Sequence, residues 1–354
     1  SQFMLKCISP VDGSIYVERP HADGAMIDAA LNSAQSATAD WRSVSLTDRA
    51  ELCGKLVDAF CAKADSYSEE LAWQMGRPIQ YGPCEVRGFE ERARCMIQLA
   101  QQALADIDLP EKEGFRRFIR RVPIGVLLTV APWNYPLLTA VNSIVPALMA
   151  GNAVILKHSH QTPLCAERLV QAGADAGLPK GLFQYLHLSR DQTAIVIRSR
   201  QINAVAFTGS VAGGVQIEQA AAGRFIPVGL ELGGKDPAYV RADADLDHTV
   251  ENVVDGAFFN SGQSCCGIER VYVHADVYDR FVDGVVELAK QYSLGNPLDP
   301  STNLGPMVRT SAADFVRRQI AEAIDAGARS LVDSASFPAN ALDSPYLAPH
   351  VLVD

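Results

Sequence analysis

Apolar positions recur at helical spacing through much of the first hundred residues. An alanine-rich run predicts a helix over Ala25 to Trp41, and a second is expected after Thr47, read as its N-cap, running past Phe60. A third is expected from Val86 to Leu104. The pattern changes near Phe115. Phe115 to Val122 is β-like but carries Arg116, Arg117, Arg120 and Arg121, which suits a projecting ribbon or an edge strand. Short apolar runs then alternate with helical ones. Val126–Val130, Ala153–Leu156, Ala204–Phe207 and Pro227–Leu232 read as strands. Leu137–Ala150, Cys165–Gly177 and Val211–Ala222 read as helices.

Repeated β-α-β alternation of this kind predicts an α/β fold with a mostly parallel sheet, whose ligands sit at the carboxyl ends of the strands. A second lobe is expected from Gly233. There Val250, Val253, Val254, Ala257 and Phe258 keep helical spacing up to Ser261–Gly262. Val271–Val273 reads as a short strand, Tyr278–Val285 and Phe315–Ile324 as helices, and Leu294–Pro300 as a loop.

No charge occurs between Arg121 and Lys157, which raises the question of a membrane span. Pro123, Pro132, Pro136 and Pro146 interrupt that run, and Asn134, Asn142, Ser143 and Asn152 add polarity. The stretch reads instead as strand, turn, kinked helix and strand of a buried core. The net charge of -10 and the absence of a basic stripe argue against a nucleic-acid surface. The eight cysteines are scattered without paired C-x-x-C motifs, so no disulfide framework or metal site is expected, and a reducing cytoplasm is.

Four segments carry chemistry. Gly262-Gln263-Ser264-Cys265-Cys266 puts a thiol in a glycine-bearing turn, where surrounding N–H groups would lower its pKa. Leu230-Glu231-Leu232-Gly233-Gly234-Lys235 sets a carboxylate between leucines, where apolar surroundings would raise its pKa toward that of a general base. Pro132-Trp133-Asn134-Tyr135-Pro136 offers an uncharged amide donor after a strand. Phe207-Thr208-Gly209-Ser210-Val211-Ala212-Gly213-Gly214 is a glycine-rich turn into a helix, suited to a pyrophosphate, though not the G-x-G-x-x-G fingerprint. Each taken alone also reads as an ordinary turn, strand end or packed cysteine.

Together and in this order, the segments resemble the aldehyde dehydrogenase superfamily across nearly the whole chain. The resemblance implies a Rossmann-like cofactor domain over residues 1–104 and 123–232. It implies an oligomerisation ribbon over 105–122 and an α/β catalytic domain over 233–354. It also implies the roles. Cys265 is the nucleophile, Asn134 with the Cys265 N–H holds the oxyanion, and Glu231 is the base that activates water. Trp133, Lys157, His160, Gly209, Ser210, Gly214 and Leu232 bind the cofactor, with Lys157 on the adenosine ribose. The reaction implied is oxidation of an aldehyde to a carboxylic acid through a thiohemiacetal and a thioester, by a homodimer or homotetramer. A CoA-acylating branch, a non-enzymatic relative and a reductase of activated carboxylates are the alternatives. Glu231 argues against the first, and the joint presence of Cys265, Glu231 and Asn134 against the second. For the third, no phosphate or acyl-donor motif is present.

Two departures matter. Lys157-His158-Ser159-His160 stands where the family has Lys-Pro-(Ser/Ala)-Glu, so a ribose-binding glutamate is replaced by His160. Without that carboxylate a 2′-phosphate is not repelled, and use of both NAD and NADP is expected. NAD is favoured, since no arginine is seen beside His160. The family also continues past Asp354 with a Glu-x-Phe-Gly-Pro segment, so the catalytic lobe is read as C-terminally incomplete.

Overall fold

The computed structural model describes residues 3–354. In chain order the strands and helices begin with β1 (Met4–Ile8), β2 (Ile15–Pro20), α1 (Gly24–Trp41), α2 (Leu46–Cys61), α3 (Ala64–Met75) and α4 (Gly82–Ala103). Then come β3 (Ile107–Asp108), β4 (Phe118–Ile119), β5 (Val126–Ala131), α5 (Pro136–Met149), β6 (Ala153–His158) and α6 (Pro163–Asp175). Next are β7 (Phe183–Tyr185), α7 (Arg190–Arg198), β8 (Ala204–Thr208), α8 (Val211–Ala221), β9 (Val228–Glu231) and β10 (Asp236–Val240). The last are α9 (Leu246–Phe258), β11 (Ile268–Val273), α10 (Tyr278–Lys290), α11 (Thr310–Asp325), β12 (Arg329–Ser330) and β13 (Leu352–Val353). They fall into two units.

The first unit comprises residues 3–6, Val17–Ala64 and Cys84–Glu231. Its centre is a five-stranded parallel sheet in the order β7-β6-β5-β8-β9. All six residues of β5 are buried, as a central parallel strand requires. Its one polar residue, Thr129, bonds the Ser143 hydroxyl of α5 at 2.9 Å. α5 packs on β5 and β6, α1 on β6, and α2 on α5 and α6. The charge-free stretch is thus a sheet core and its helix, with Pro146 inside α5. Among the described residues no helix is long and apolar enough to cross a membrane.

The basic stretch forms a short antiparallel ribbon, with Ile107 opposite Ile119 and Asp108 opposite Phe118. Arg120 grips Asp106 through two hydrogen bonds of 3.2 and 2.8 Å, and Arg116 and Arg120 both approach the Phe118 ring.

The second unit comprises Cys7–Tyr16, Asp65–Pro83 and Leu232–Asp354. β10 and β11 pair in parallel, and β12 pairs with β13 antiparallel. Val240, Val250, Val254, Val277 and Phe281 form one apolar cluster, drawn from β10, α9, α10 and the turn just before α10. α11 ends at Asp325, and Gly327 just past its cap has a φ of +113°, which favours glycine.

Several expectations need correction. The N-cap of α2 is Ser45, whose hydroxyl accepts from Asp48 N–H at 3.1 Å; Thr47 lies inside the helix. β11 starts at Ile268, earlier than expected. β7, α7, β10 and the segment Cys7–Tyr16 of the second unit carried no periodic signal strong enough to predict.

Candidate active site

In the first unit the sequence motifs gather at one end of the sheet, because the strands are parallel. Trp133 and Asn134 follow β5, Lys157 lies near the end of β6, Gly209 and Ser210 follow β8, and Glu231 ends β9. That is the carboxyl edge where open α/β sheets take ligands.

Asn134 is half-buried, and its Oδ1 accepts from the Tyr135 N–H at 3.0 Å. The chain then enters α5, whose N-cap Tyr135 makes no side-chain cap and whose first residue is Pro136. Glu85 of α4 supplies the missing cap. It is 2% exposed, and its Oε1 accepts from Leu137 N–H at 3.0 Å and Leu138 N–H at 2.9 Å. A carboxylate is favoured there by the helix dipole.

His158 fixes the same turn from β6. Its Nδ1 accepts from Ser159 N–H at 3.0 Å, so its Nε2 carries the proton and donates to the Pro136 carbonyl at 2.9 Å. Burial pushes its pKa down to about 4, so the ring is neutral near pH 7. Neither Glu85 nor His158 was singled out from sequence. Their partners lie 52 and 22 positions away.

Lys157 is half-buried, and burial pushes its pKa down to about 8, with the Arg190 guanidinium adding to the effect. His160 is exposed three residues on. Arg190 opens α7 behind the capping box of Ser189 and Gln192, and it is exposed. β7 leads there directly. Tyr185 pairs with Leu156, and Leu186 N–H donates to the Leu156 carbonyl at 3.0 Å. The structure therefore brings an arginine to the Lys157 end of the sheet, where the sequence showed none.

The glycine turn is built for packing as well as for a ligand. A Cβ on Gly209 or Gly213 would stand 2.7 or 2.8 Å from Cζ of Phe207, so the ring excludes both. The Gly209 N–H already donates to the Glu231 carbonyl at 3.0 Å, and the Gly214 N–H to the Ser210 carbonyl at 2.9 Å. Ser210 caps α8 by accepting from Gly213 N–H at 3.1 Å. Those three N–H groups are therefore committed. Val211 and Ala212 are the exposed residues that present first-turn N–H groups where the helix dipole favours an anion. With the Lys157 ammonium, this donor set fits a dinucleotide phosphate and ribose.

Glu231 does not sit in apolar surroundings. β9 is the edge strand, its residues alternate between half-buried and exposed, and the Glu231 side chain is exposed. Leu232 is half-buried and opens the second unit.

In the second unit Cys265 and Cys266 are both exposed, on the loop after α9. The loop turns through Asn260 and Ser261, both left-handed at φ +55° and +57°. Such backbone costs non-glycine residues about 1–3 kcal/mol each and persists only where surroundings impose it. Here the restraints are evident. Gln263 donates to the Asn260 carbonyl at 2.9 Å and accepts from Val308 N–H at 2.9 Å. Ser261 Oγ donates to the Gly305 carbonyl at 2.7 Å. Gly234 lies so close that a Cβ would be 2.8 Å from the Cys265 carbonyl oxygen.

The Cys265 thiol pKa is shifted upward in this structure. Desolvation in its crowded loop holds its pKa above the usual thiol value, and Cys266 adds to that. The N–H groups of Cys266 and Cys265 pull the other way, as the sequence suggested, and are outweighed. Among the described residues no cluster of His, Cys, Asp and Glu could hold a metal ion.

The sequence pattern of the Aldehyde dehydrogenase family matches residues 1–354. A succinate-semialdehyde dehydrogenase [NADP(+)] of Mycobacterium avium (strain 104) is 36% identical over 327 residues, 92% of this chain and 69% of that protein. Two solved structures superpose closely. NADP-dependent glyceraldehyde-3-phosphate dehydrogenase of Bacillus halodurans C-125, complexed with NADP, gives a TM-score of 0.90 at 30% identity, covering 99% of this chain and 73% of that one. PnpE in complex with nicotinamide adenine dinucleotide gives 0.91 at 29% identity, covering 99% and 72%. This chain belongs to the aldehyde dehydrogenase family, the NAD(P)-dependent enzymes that oxidise aldehydes to carboxylic acids.

Proposed function

We propose that Cys265, Asn134 and Glu231 carry this oxidation in the roles their motifs imply. The observation that supports the reading best is the common edge of the sheet, where Asn134, Lys157, Ser210 and Glu231 all end strands or follow them. The Cys265 thiolate attacks the aldehyde carbonyl and forms a C–S bond. The Asn134 amide and the Cys265 N–H donate to the resulting oxyanion. A nicotinamide cofactor held at this edge of the sheet would supply the hydride acceptor that collapse of the thiohemiacetal to the thioester requires. Glu231 takes a proton from water as the water attacks the thioester. The C–S bond breaks, the acid leaves and the thiolate returns. Lys157, the first turn of α8 and Trp133 would hold and orient the dinucleotide. Glu231→Gln tests the scheme. It should give a burst of NAD(P)H near one equivalent per site and then turn over about 10²–10⁴-fold more slowly. Wild-type turnover in that variant removes Glu231 from the mechanism.

The substrate reading is an aldehyde with a carboxylate at its far end, the type named for the mycobacterial relatives. Arg92 supports it. This exposed guanidinium of α4 donates to the Leu138 carbonyl at 3.0 Å and to Asn142 Oδ1 at 3.4 Å, beside the helix that follows Asn134. Arg92→Gln should raise KM for succinate semialdehyde and leave KM for butanal unchanged. An equal effect on both removes the arginine from recognition. We propose further a homo-oligomer in the cytoplasm, and a site that accepts both NAD and NADP.

A further inference from the structure

The nucleophile loop is held by a buried arginine that no motif pointed to. Arg77 lies just after α3, in the same unit as Cys265, and is 1% exposed. Its Nε donates to Asn260 Oδ1 at 2.9 Å, and its Cζ stands 5.7 Å from the centre of the Phe259 ring. Asn260, 6% exposed, is one of the two non-glycine residues of the loop in the left-handed region. The chain around Arg77 is tightly seated as well. A Cβ on Gly76 would meet Pro306 at 3.0 Å, and Gly76 itself has φ +87°. Pro306 sits between Gly305, which accepts from Ser261, and Val308, which donates to Gln263. The segments at 76–77 and 305–308 therefore grip the turn that leads to Cys265.

We infer that Arg77 is a positioning residue for Cys265. Its guanidinium holds Asn260 in the left-handed turn and so sets the direction in which Gln263, Ser264 and Cys265 leave α9. Arginine suits this place better than lysine. A planar, weakly hydrated cation can lie over an aromatic ring while an N–H in its own plane reaches the amide oxygen. The inference rests on Cys265 as nucleophile. Cys265→Ala tests that separately, by loss of oxidation.

Three variants test the positioning role in the whole enzyme: Arg77→Lys, Arg77→Met and Asn260→Gly. The last removes the acceptor while tolerating the left-handed backbone. The readouts are kcat, KM for aldehyde, Kd for NADP, and the rate of iodoacetamide alkylation at Cys265. Misplacement by about 1 Å can cost about 10²-fold, so Arg77→Met should lower kcat on that scale and slow alkylation, with Kd for NADP unchanged. Arg77→Lys should recover part of the loss. The Arg77→Met, Asn260→Gly double variant should be little worse than either single one, because one contact is removed twice. Should Arg77→Met fail to fold, Asn260→Gly and Arg77→Lys carry the test. Variants that lower the melting temperature but keep kcat and alkylation within about twofold overturn the inference and leave Arg77 a core residue.

Discussion

Glu85 and Leu137 are 52 positions apart, yet the carboxylate of one caps the first turn of the helix that holds the other, at 3.0 Å. The same Oε1 takes the Leu138 N–H at 2.9 Å. Asn134 sits three residues before that helix turn, so the cap also fixes where the amide stands. Glu85→Ala leaves two N–H groups without an acceptor inside the protein. Each such group costs about 1–3 kcal/mol. We expect denaturant unfolding of Glu85→Ala to show a loss of that order, with lower kcat at temperatures where the fold persists. Glu85→Gln keeps an acceptor oxygen and should lose less. Equal stability of wild type and Glu85→Ala would refute the role.

The two adjacent cysteines give a prediction with a definite sign. Cys266 helps hold the Cys265 thiol above its ordinary pKa. Removing it should shift the midpoint of Cys265 alkylation to lower pH and raise the alkylation rate near neutrality. Cys266→Ala should therefore retain oxidation while reacting faster with iodoacetamide. Cys265→Ala should lose both. A Cys266→Ala variant that alkylates more slowly than wild type contradicts this coupling.

What could be read in the sequence follows from how far apart the partners are. Cys265, Glu231, Asn134 and the Gly209 turn lie in contiguous motifs, and the alternating strands and helices announced the parallel sheet. Glu85, Arg77 and His158 were not legible. Each is a lone polar residue whose burial makes sense only once a distant carbonyl, amide or N–H is brought to it. The apolar surroundings expected for Glu231 were inferred from its leucine neighbours. Along a strand those side chains point to the opposite face, and β9 is an edge. Arg190 escaped notice because it is 33 positions from Lys157 in sequence and reaches the same sheet edge only through the pairing of β6 with β7.

His158 should make the enzyme sensitive to mild acid. Its pKa is pushed from 6.5 to about 4 in the folded protein by burial. The unfolded chain therefore binds a proton more readily than the folded one between those values. Stability is fully present above pH 6.5 and falls as pH drops toward 4, by about 3 kcal/mol at most from this group. His158→Gln keeps a donor for the Pro136 carbonyl and cannot titrate. Between pH 6.5 and 4 its melting temperature should fall less steeply than that of wild type. Parallel curves would assign the acid sensitivity to other groups.

The choice between NAD and NADP turns on Lys157, His160 and Arg190. The two cofactors differ by a phosphate on the adenosine ribose, the group Lys157 is proposed to meet. His160 replaces the carboxylate that would repel it. Arg190 is exposed at the start of α7, close enough to Lys157 to lower its pKa. A guanidinium can grip phosphate oxygens in pairs. In full Coulomb terms two unit charges 4 Å apart are worth about 4 kcal/mol at an effective dielectric of 20. Solvent screening of an exposed arginine brings that nearer 1 kcal/mol, or about fivefold in affinity. Arg190→Ala should therefore weaken NADP binding about fivefold and leave NAD nearly unchanged, measured as Kd by titration of intrinsic fluorescence. His160→Glu should shift preference toward NAD more strongly, because it adds repulsion as well as removing an ally. The Lys157 ammonium is charged below a pKa of about 8 and loses its proton above it. Its share of the NADP affinity is thus present at neutral pH and fades as pH rises through 8. A Kd ratio between the cofactors that stays constant from pH 7 to 9 and in Arg190→Ala would exclude both cations from the discrimination.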